Sequence, residues 1–242
     1  MQEDAFLKCV DPNCGLVYPI YSTNVQCENG HVLDVKYKNM PSTKLKDTFY
    51  ERRNSKGSIF NESGIWRFRE LLNFCQIDTE SLEECSKFLV SLDGAEGRQS
   101  KPYHMSKAAE FLGIEKDGLW LQPEGYNPSG SFKDNGMVTA VTHAKLVGAK
   151  KIVCASTGNT SASAGMFAAN EGIDCDVYIP AGQIAPGKLS QAYQFGAQIV
   201  QVEGNFDDAL KQSLDDAQNH GGYTVNSVNP FRIEGQKTIP FR

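Results

Sequence analysis

Ile152-Val153-Cys154-Ala155-Ser156-Thr157-Gly158-Asn159-Thr160-Ser161-Ala162-Ser163 is an apolar run that breaks into a hydroxyl-rich loop and continues into small residues. Its first three residues are too few for a helix and read as a buried strand; 160–170 reads as a helix, and Gly172 as the glycine that ends it. The alternation continues downstream. Val177-Tyr178-Ile179 and Ile199-Val200-Gln201-Val202 are further strands, while 189–195 and 206–219 are further helices. Asn205 suits the N-cap of the last helix, with Asp208 in its first turn. Upstream, Leu119-Trp120-Leu121 reads as a strand that leads into a helix over 137–147, closed by Gly148. Strands and helices at this spacing imply right-handed βαβ units and a mainly parallel sheet, so the fold class is α/β. Ligands on such sheets bind beyond the C-terminal strand ends, where loops start helices.

The remainder is less regular. Residues 1–40 hold Cys9, Cys14, Cys27 and His31 with short β-like pieces at Leu16-Val17-Tyr18 and Val32-Leu33-Asp34-Val35. Residues 41–63 turn polar and charged and read as a linker or a surface arm. Residues 64–72 suit a short helix, 78–91 another, and Ser106 an N-cap for a helix that closes at Gly113. The 242 residues are 40% hydrophobic and 22% charged, which is ordinary globular composition. With 24 Lys plus Arg against 29 Asp plus Glu, the formal net charge is −5, which argues against a nucleic-acid binder. No apolar run approaches a membrane span and the first residues lack a secretory pattern, so the expectation is a cytoplasmic protein with no membrane partner. The seven cysteines are an odd number and do not read as a disulfide framework. Cys75, Cys85, Cys154 and Cys175 read as small buried hydrophobes.

Three loops carry the chemistry. In Asn127-Pro128-Ser129-Gly130-Ser131-Phe132-Lys133-Asp134, the lysine follows a tight turn and opens a helix. The positive helix start disfavours an ammonium, which favours a neutral, nucleophilic amine suited to Schiff-base chemistry. A solvated surface lysine is the plainer alternative. In the loop from Ser156 to Ser163, five hydroxyls, an amide and a glycine lie at a helix start, more than one cap needs, which suits an anion cradle. In Asn226-Ser227-Val228-Asn229-Pro230-Phe231-Arg232, the arginine suits a phosphate with Ser227 and Asn226 beside it, or a surface ion pair.

These three loops, with Glu234-Gly235-Gln236-Lys237-Thr238 after the third, resemble the threonine synthases in order and spacing. Residues 64–72 and the N-terminal Cys/His group resemble that family too. The first two loops alone would indicate the wider fold-type II pyridoxal-phosphate enzymes, which include dehydratases and cysteine synthases; the Arg232 segment narrows the likeness. The resemblance implies a tryptophan-synthase-β-like fold, a three-layer sheet with helices on both faces. It implies that Lys133 is catalytic and holds pyridoxal 5'-phosphate, with Phe132 shaping the cofactor's surroundings and Asn159 bonding its ring hydroxyl. Ser156, Thr157 and Thr160 would grip the substrate, and Ser227 and Arg232, helped by Asn226, would bind its phosphate. The implied reaction turns O-phospho-L-homoserine and water into L-threonine and phosphate, in a homodimer.

The departures are also informative. Relatives in the family continue past Arg242, so the chain reads as an N-terminal portion lacking the glycine-rich cofactor-phosphate loop and the residue that faces the pyridine nitrogen. A fragment of this kind is expected to be inactive alone. The expected division is a zinc-ribbon-like segment at 1–40, the first part of a large cofactor domain at 41–140, a small mobile α/β domain at 141–228 and a return to the large domain at 229–242. Four residues separate Cys9 from Cys14, where zinc knuckles usually have two. Cys9, Cys14, Cys27 and His31 therefore read either as a zinc set or, with more weight, as a metal-free relic held by packing. Ser100-Lys101-Pro102-Tyr103 replaces the family's Thr-Pro-Leu turn. Two other functional readings stand beside threonine synthase: another fold-type II lyase, such as a cysteate synthase or a threonine/serine dehydratase, and a non-catalytic remnant.

Overall fold

The computed structural model describes residues 4–39, 45–55, 58–72, 74, 89–90, 102–182 and 186–241. Of the helix expected over 78–91, only residues 89–90 are described and they are not helical; Cys75, Cys85 and the start of the turn at 100–103 lie outside the described residues.

Residues 151–224 form the parallel sheet. Its strands are β6 (Lys151–Ala155), β7 (Asp174–Pro180), β8 (Gln198–Val202) and β9 (Gly222–Thr224), in the order β8-β7-β6-β9. All three pairings are parallel, and Lys151 to Ala155 run opposite Asp174 to Tyr178. Between the strands lie α5 (Asn159–Glu171), α6 (Pro186–Gln194) and α7 (Phe206–Asn219). Ile152, Cys154, Val177 and Ile179 pack into the main core, whereas Val153, Ala155, Tyr178 and Val202 pack with Ala209 of α7. Both faces are thus covered, which is why β6 is apolar along nearly its whole length. Gly172 ends α5 in the left-handed conformation at φ 65°. Asn205 and Asp208 form a reciprocal capping box on α7.

Two further helices complete this unit. α4 (Lys133–Leu146) precedes β6, and α8 (Pro230–Gln236) follows β9. They cross at a pair of glycines. A Cβ on Gly235 would lie 2.0 Å from the Asn135 carbonyl oxygen, and one on Gly136 would lie 2.7 Å from the Arg232 carbonyl oxygen. Only glycine permits that approach. Thr139 Oγ1 locks the crossing by donating to the Phe231 carbonyl at 2.6 Å.

At the N-terminus, β1 (Ala5–Cys9), β2 (Val17–Pro19) and β3 (Leu33–Tyr37) form an antiparallel sheet in the order β2-β1-β3. Its inner face (Leu7, Ile20, Leu33, Val35) belongs to the same core as Met137, Val141 and Ala144 of α4. Three expectations need correction. The supposed linker contains α1 (Leu45–Asn54) and α2 (Ile59–Glu62), and Arg52 of α1 makes a two-pronged bond to Glu70, so the segment is tied down. Ser106 does not cap α3 (Ser106–Phe111) but is its first residue; Met105 precedes it without a side-chain cap bond. Trp120 and Leu121 form β5 (Trp120–Leu121), which pairs antiparallel with β4 (Tyr103–His104) in an exposed two-stranded piece outside the parallel sheet. Apolarity alone could not distinguish a buried strand from an exposed one there.

Candidate active site and Cys/His centre

β6 and β9 are neighbours, yet the chain leaves β6 towards β7 and β8 and reaches β9 last. Strand order therefore reverses between them, which is where open α/β sheets bind ligands beyond the strand ends. One loop, 156–158, enters α5; the other, 225–229, enters α8. Asn226 spans the gap. Its Oδ1 accepts from the Ala155 amide at 2.9 Å and its Nδ2 donates to the Ala155 carbonyl at 2.9 Å, adding a side-chain rung to the ladder. Asn226 thus fixes the loop, and Ser227, the next residue, is exposed.

Asn229 caps α8 by accepting from the Phe231 and Arg232 amides, with Pro230 in the first turn. The cap turns Arg232 inward, where it is only 1% exposed. Its Nη1 donates to the Val225 carbonyl at 2.9 Å, while Nε and Nη2 have no hydrogen-bond partner among the described residues. Burial lowers its pKa to about 10. A buried guanidinium with two unmatched donors is costly unless an anion meets it.

Lys133 is the first residue of α4. Gly130, at φ 78°, makes the turn before it, and Ser131 Oγ accepts from the Lys133 amide at 3.1 Å. Lys133 Nζ lies 4.4 Å from the centre of the Phe132 ring. Its pKa is lowered, first by burial and then by the charge of Arg232. The shift has the direction expected of a helix start, but burial and Arg232 produce it. Lys133 and Arg232 thus sit on the two helices that the glycine crossing holds together.

The helix begins four residues before its apolar pattern because Asp134 and Asn135 are fully buried. Asp134 accepts from the Ser129 amide at 2.8 Å, the Ser129 hydroxyl at 2.5 Å and Ser163 of α5 at 2.6 Å. Burial raises its pKa, against those hydrogen bonds. Lys188 of α6 donates to the Ser129 carbonyl at 2.9 Å, so the lysine loop is held from two neighbouring helices. Sequence reasoning assigned no role to Asp134, Ser163 or Lys188; the only local signal was a carboxylate in the first turn.

The second loop divides its hydroxyls. Ser156 Oγ accepts from the Gly158 amide at 3.1 Å, and Ser161 donates to the Gly158 carbonyl at 2.6 Å. Gly158, at the cap position, supplies no side chain, so α5 has no side-chain cap and starts beside half-buried Thr157 and Thr160 and exposed Asn159. Cys154, on the strand before the loop, is fully buried, and burial pushes its thiol up to about 12.

A second centre lies in the N-terminal sheet. The ligand atoms of Cys9, Cys14, Cys27 and His31 all lie within 4.8 Å of one another. Sγ–Sγ separations are 3.7 Å for Cys9–Cys27 and 3.8 Å for Cys14–Cys27, and Cys9 Sγ lies 3.6 Å from His31 Nδ1. A tetrahedral zinc with ordinary bond lengths demands edges of about 3.8 Å between sulfurs and about 3.6 Å from sulfur to nitrogen. The four-residue gap that counted against a metal is absorbed by a turn: the Cys14 amide donates to Asp11 O, and Gly15 takes φ 67°. Asp11, unnoticed in the sequence, places Oδ2 3.5 Å from His31 Nε2, as an outer carboxylate that leaves Nδ1 facing the sulfurs. A hydrogen bond from the Leu16 backbone, followed by one from Asn29, pulls the Cys14 thiol down to about 6, while burial pushes Cys9 up to about 11.

A family model described as pyridoxal-phosphate dependent enzyme matches residues 98–241. The chain belongs to the pyridoxal-phosphate-dependent enzymes. Within that family it is similar to threonine synthases. That of Methanocaldococcus jannaschii is 38% identical over 234 residues, covering 97% of this chain and 52% of the relative. That of Bacillus sp. (strain ULM1) is 56% identical over 130 residues, covering 54% and 36%. The chain thus spans about half, or less, of the length of the curated relatives it matches. Maize serine racemase aligns at TM-score 0.53 and 18% identity, covering 68% of this chain and 48% of that one, and shows the shared fold. Among the described residues, no helix is long and apolar enough to cross a membrane.

Proposed function

We propose that this chain is the N-terminal portion of a threonine synthase, an enzyme taking O-phospho-L-homoserine and water to L-threonine and phosphate, and is inactive alone. The observation that carries the proposal is Arg232, whose two unmatched, buried donors call for an anion next to the helix that Lys133 starts. Held on Lys133, pyridoxal phosphate supplies the electron sink that makes the substrate's α- and β-protons removable. The chain's own residues do the rest. The neutral Lys133 amine takes and returns protons at Nζ, a role that its lowered pKa suits. Phe132, whose ring centre lies 4.4 Å from that amine, shapes the cofactor's surroundings. Asn159, at the mouth of α5, bonds the cofactor's ring hydroxyl. Ser156, Thr157 and Thr160 hold the substrate at the uncapped start of α5. Arg232 and Ser227 hold its phosphate, with Asn226 fixing their loop from Ala155. A homodimer and a cytoplasmic location belong to the same proposal; the family likeness supports the first, and the absence of a disulfide among the described cysteines fits the second.

The test follows phosphate release and threonine formation from O-phospho-L-homoserine with pyridoxal phosphate, for the 242-residue chain and for a form extended to its relatives' length. Threonine from the extended form is expected. Release of ammonia and a 2-oxo acid instead would assign the site to a dehydratase.

We also propose that Cys9, Cys14, Cys27 and His31 hold one zinc ion, on the strength of the tetrahedral spacing. Elemental analysis of chain purified without chelator should find about one zinc per chain. Mutually reactive, metal-free thiols would contradict it.

A further inference from the structure

We infer that the metal-bearing N-terminal sheet is a positioning element for Lys133 and Arg232, acting through His143 and through the Tyr37–Glu234 pair. The inference rests on the zinc reading above. His143 lies on α4, the helix that Lys133 starts, and is fully buried. The Ile20 carbonyl, just beyond β2, lies 2.9 Å from His143 Nε2. A carbonyl only accepts, so Nε2 carries the proton and Nδ1 accepts from Tyr223 Oη of β9 at 2.7 Å. The ring stacks on Phe231 of α8, with centres 3.5 Å apart and planes 13° apart. One imidazole therefore joins the sheet, α4, β9 and the residue beside Arg232.

The second tie is independent. Tyr37, at the end of β3, donates from its hydroxyl to Glu234, two residues past Arg232. Lys237 Nζ lies 2.7 Å from Glu234 Oε2 and 5.0 Å from the centre of the Tyr37 ring. The two ties grip α4 and α8, the crossing helices that carry Lys133 and Arg232. The sheet making them has strands of five, three and five residues, short for independent stability, so a metal joining the β1 end to both loops would hold its shape. Metal occupancy and the geometry around Lys133 are then linked, and linkage is reciprocal.

The experiment uses the 242-residue chain with zinc and pyridoxal phosphate as probes. Zinc affinity is measured by chelator competition with and without pyridoxal phosphate. Hydrogen exchange is read over 133–146 and 230–236 with zinc bound and removed. Pyridoxal phosphate should tighten zinc by about fivefold or more. Zinc removal should speed exchange in both helices. Tyr37→Phe, which removes one hydroxyl from a half-buried site, should shrink both effects while still binding zinc; His143→Phe, if it folds, should shrink them further. A chain that takes up no zinc overturns both the metal reading and this inference. Zinc uptake with exchange in α4 and α8 unchanged on its removal overturns the inference alone. Coupling that is full in both variants overturns it too, since the route would lie elsewhere. If exchange responds to zinc but pyridoxal phosphate never reaches Lys133, the brace stands and the lysine assignment falls.

Discussion

The N-terminal sheet of residues 4–39 is organised around four side chains that meet at a point, whereas the sheet of residues 151–224 is organised by apolar side chains repeated along each strand. The first can be disabled at one atom; the second loses stability gradually as its core is eroded. The two are nevertheless built on one continuous core, with Leu7 and Leu33 in the same cluster as Val141 and Ile152. The difference teaches that chemistry-bearing residues here are placed by contacts made at a distance, and the predictions below separate the two modes.

The largest effect is expected at the helix crossing. Gly235→Ala puts a methyl 2.0 Å from the Asn135 carbonyl and 2.4 Å from Thr139 Oγ1. Backbone cannot yield as a flexible side chain does, so urea unfolding should show a loss of about 3 kcal/mol or more. A loss under about 1 kcal/mol would mean that α4 and α8 are not locked and that the α/β half is looser than the Cys/His half.

Acid should attack the contact between the two regions next. Burial lowers the His143 pKa to about 4 against an ordinary value of 6.5. The folded state resists protonation more than the unfolded chain, so this contribution is intact above pH 6.5 and is lost as pH falls towards 4. The expected loss is on the order of 3 kcal/mol, seen as a falling unfolding midpoint that His143→Phe flattens in that window. An unchanged pH profile in the variant would put the acid sensitivity elsewhere.

Arg232→Met keeps much of the buried stem and removes the guanidinium. It should weaken O-phospho-L-homoserine by about 1.5–3 kcal/mol, read as a raised KM in the extended form, while Lys133 still takes the cofactor. Loss of the cofactor instead would move Arg232 to the cofactor's phosphate. The smallest effect is expected at Asn205→Ala, which removes the α7 capping box far from either centre and should cost about 1 kcal/mol with zinc uptake unchanged.

Periodicity made the α/β class legible, and local rules located Gly172, Asn205 and the three loops. Boundaries failed where polar residues are buried by distant partners. The expected start of α4 at Met137 missed Asp134, whose partner Ser163 is 29 residues away. β5 was misplaced because its partner, β4, is antiparallel and both strands are exposed. His143, bonded across 123 residues to Ile20, gave no local signal. The Cys/His group was visible, but the turn at Asp11–Cys14 that reconciles its odd spacing was not.

The central claim is that Lys133 is the cofactor lysine of a site shared with Arg232. Borohydride reduction of the chain with pyridoxal phosphate, followed by peptide mapping, tests it most directly. The account predicts a pyridoxyl group on Lys133 in preference to the other lysines at neutral pH, because its amine is depressed by burial and by Arg232. Label spread over exposed lysines, with Lys133 unmodified, would contradict it.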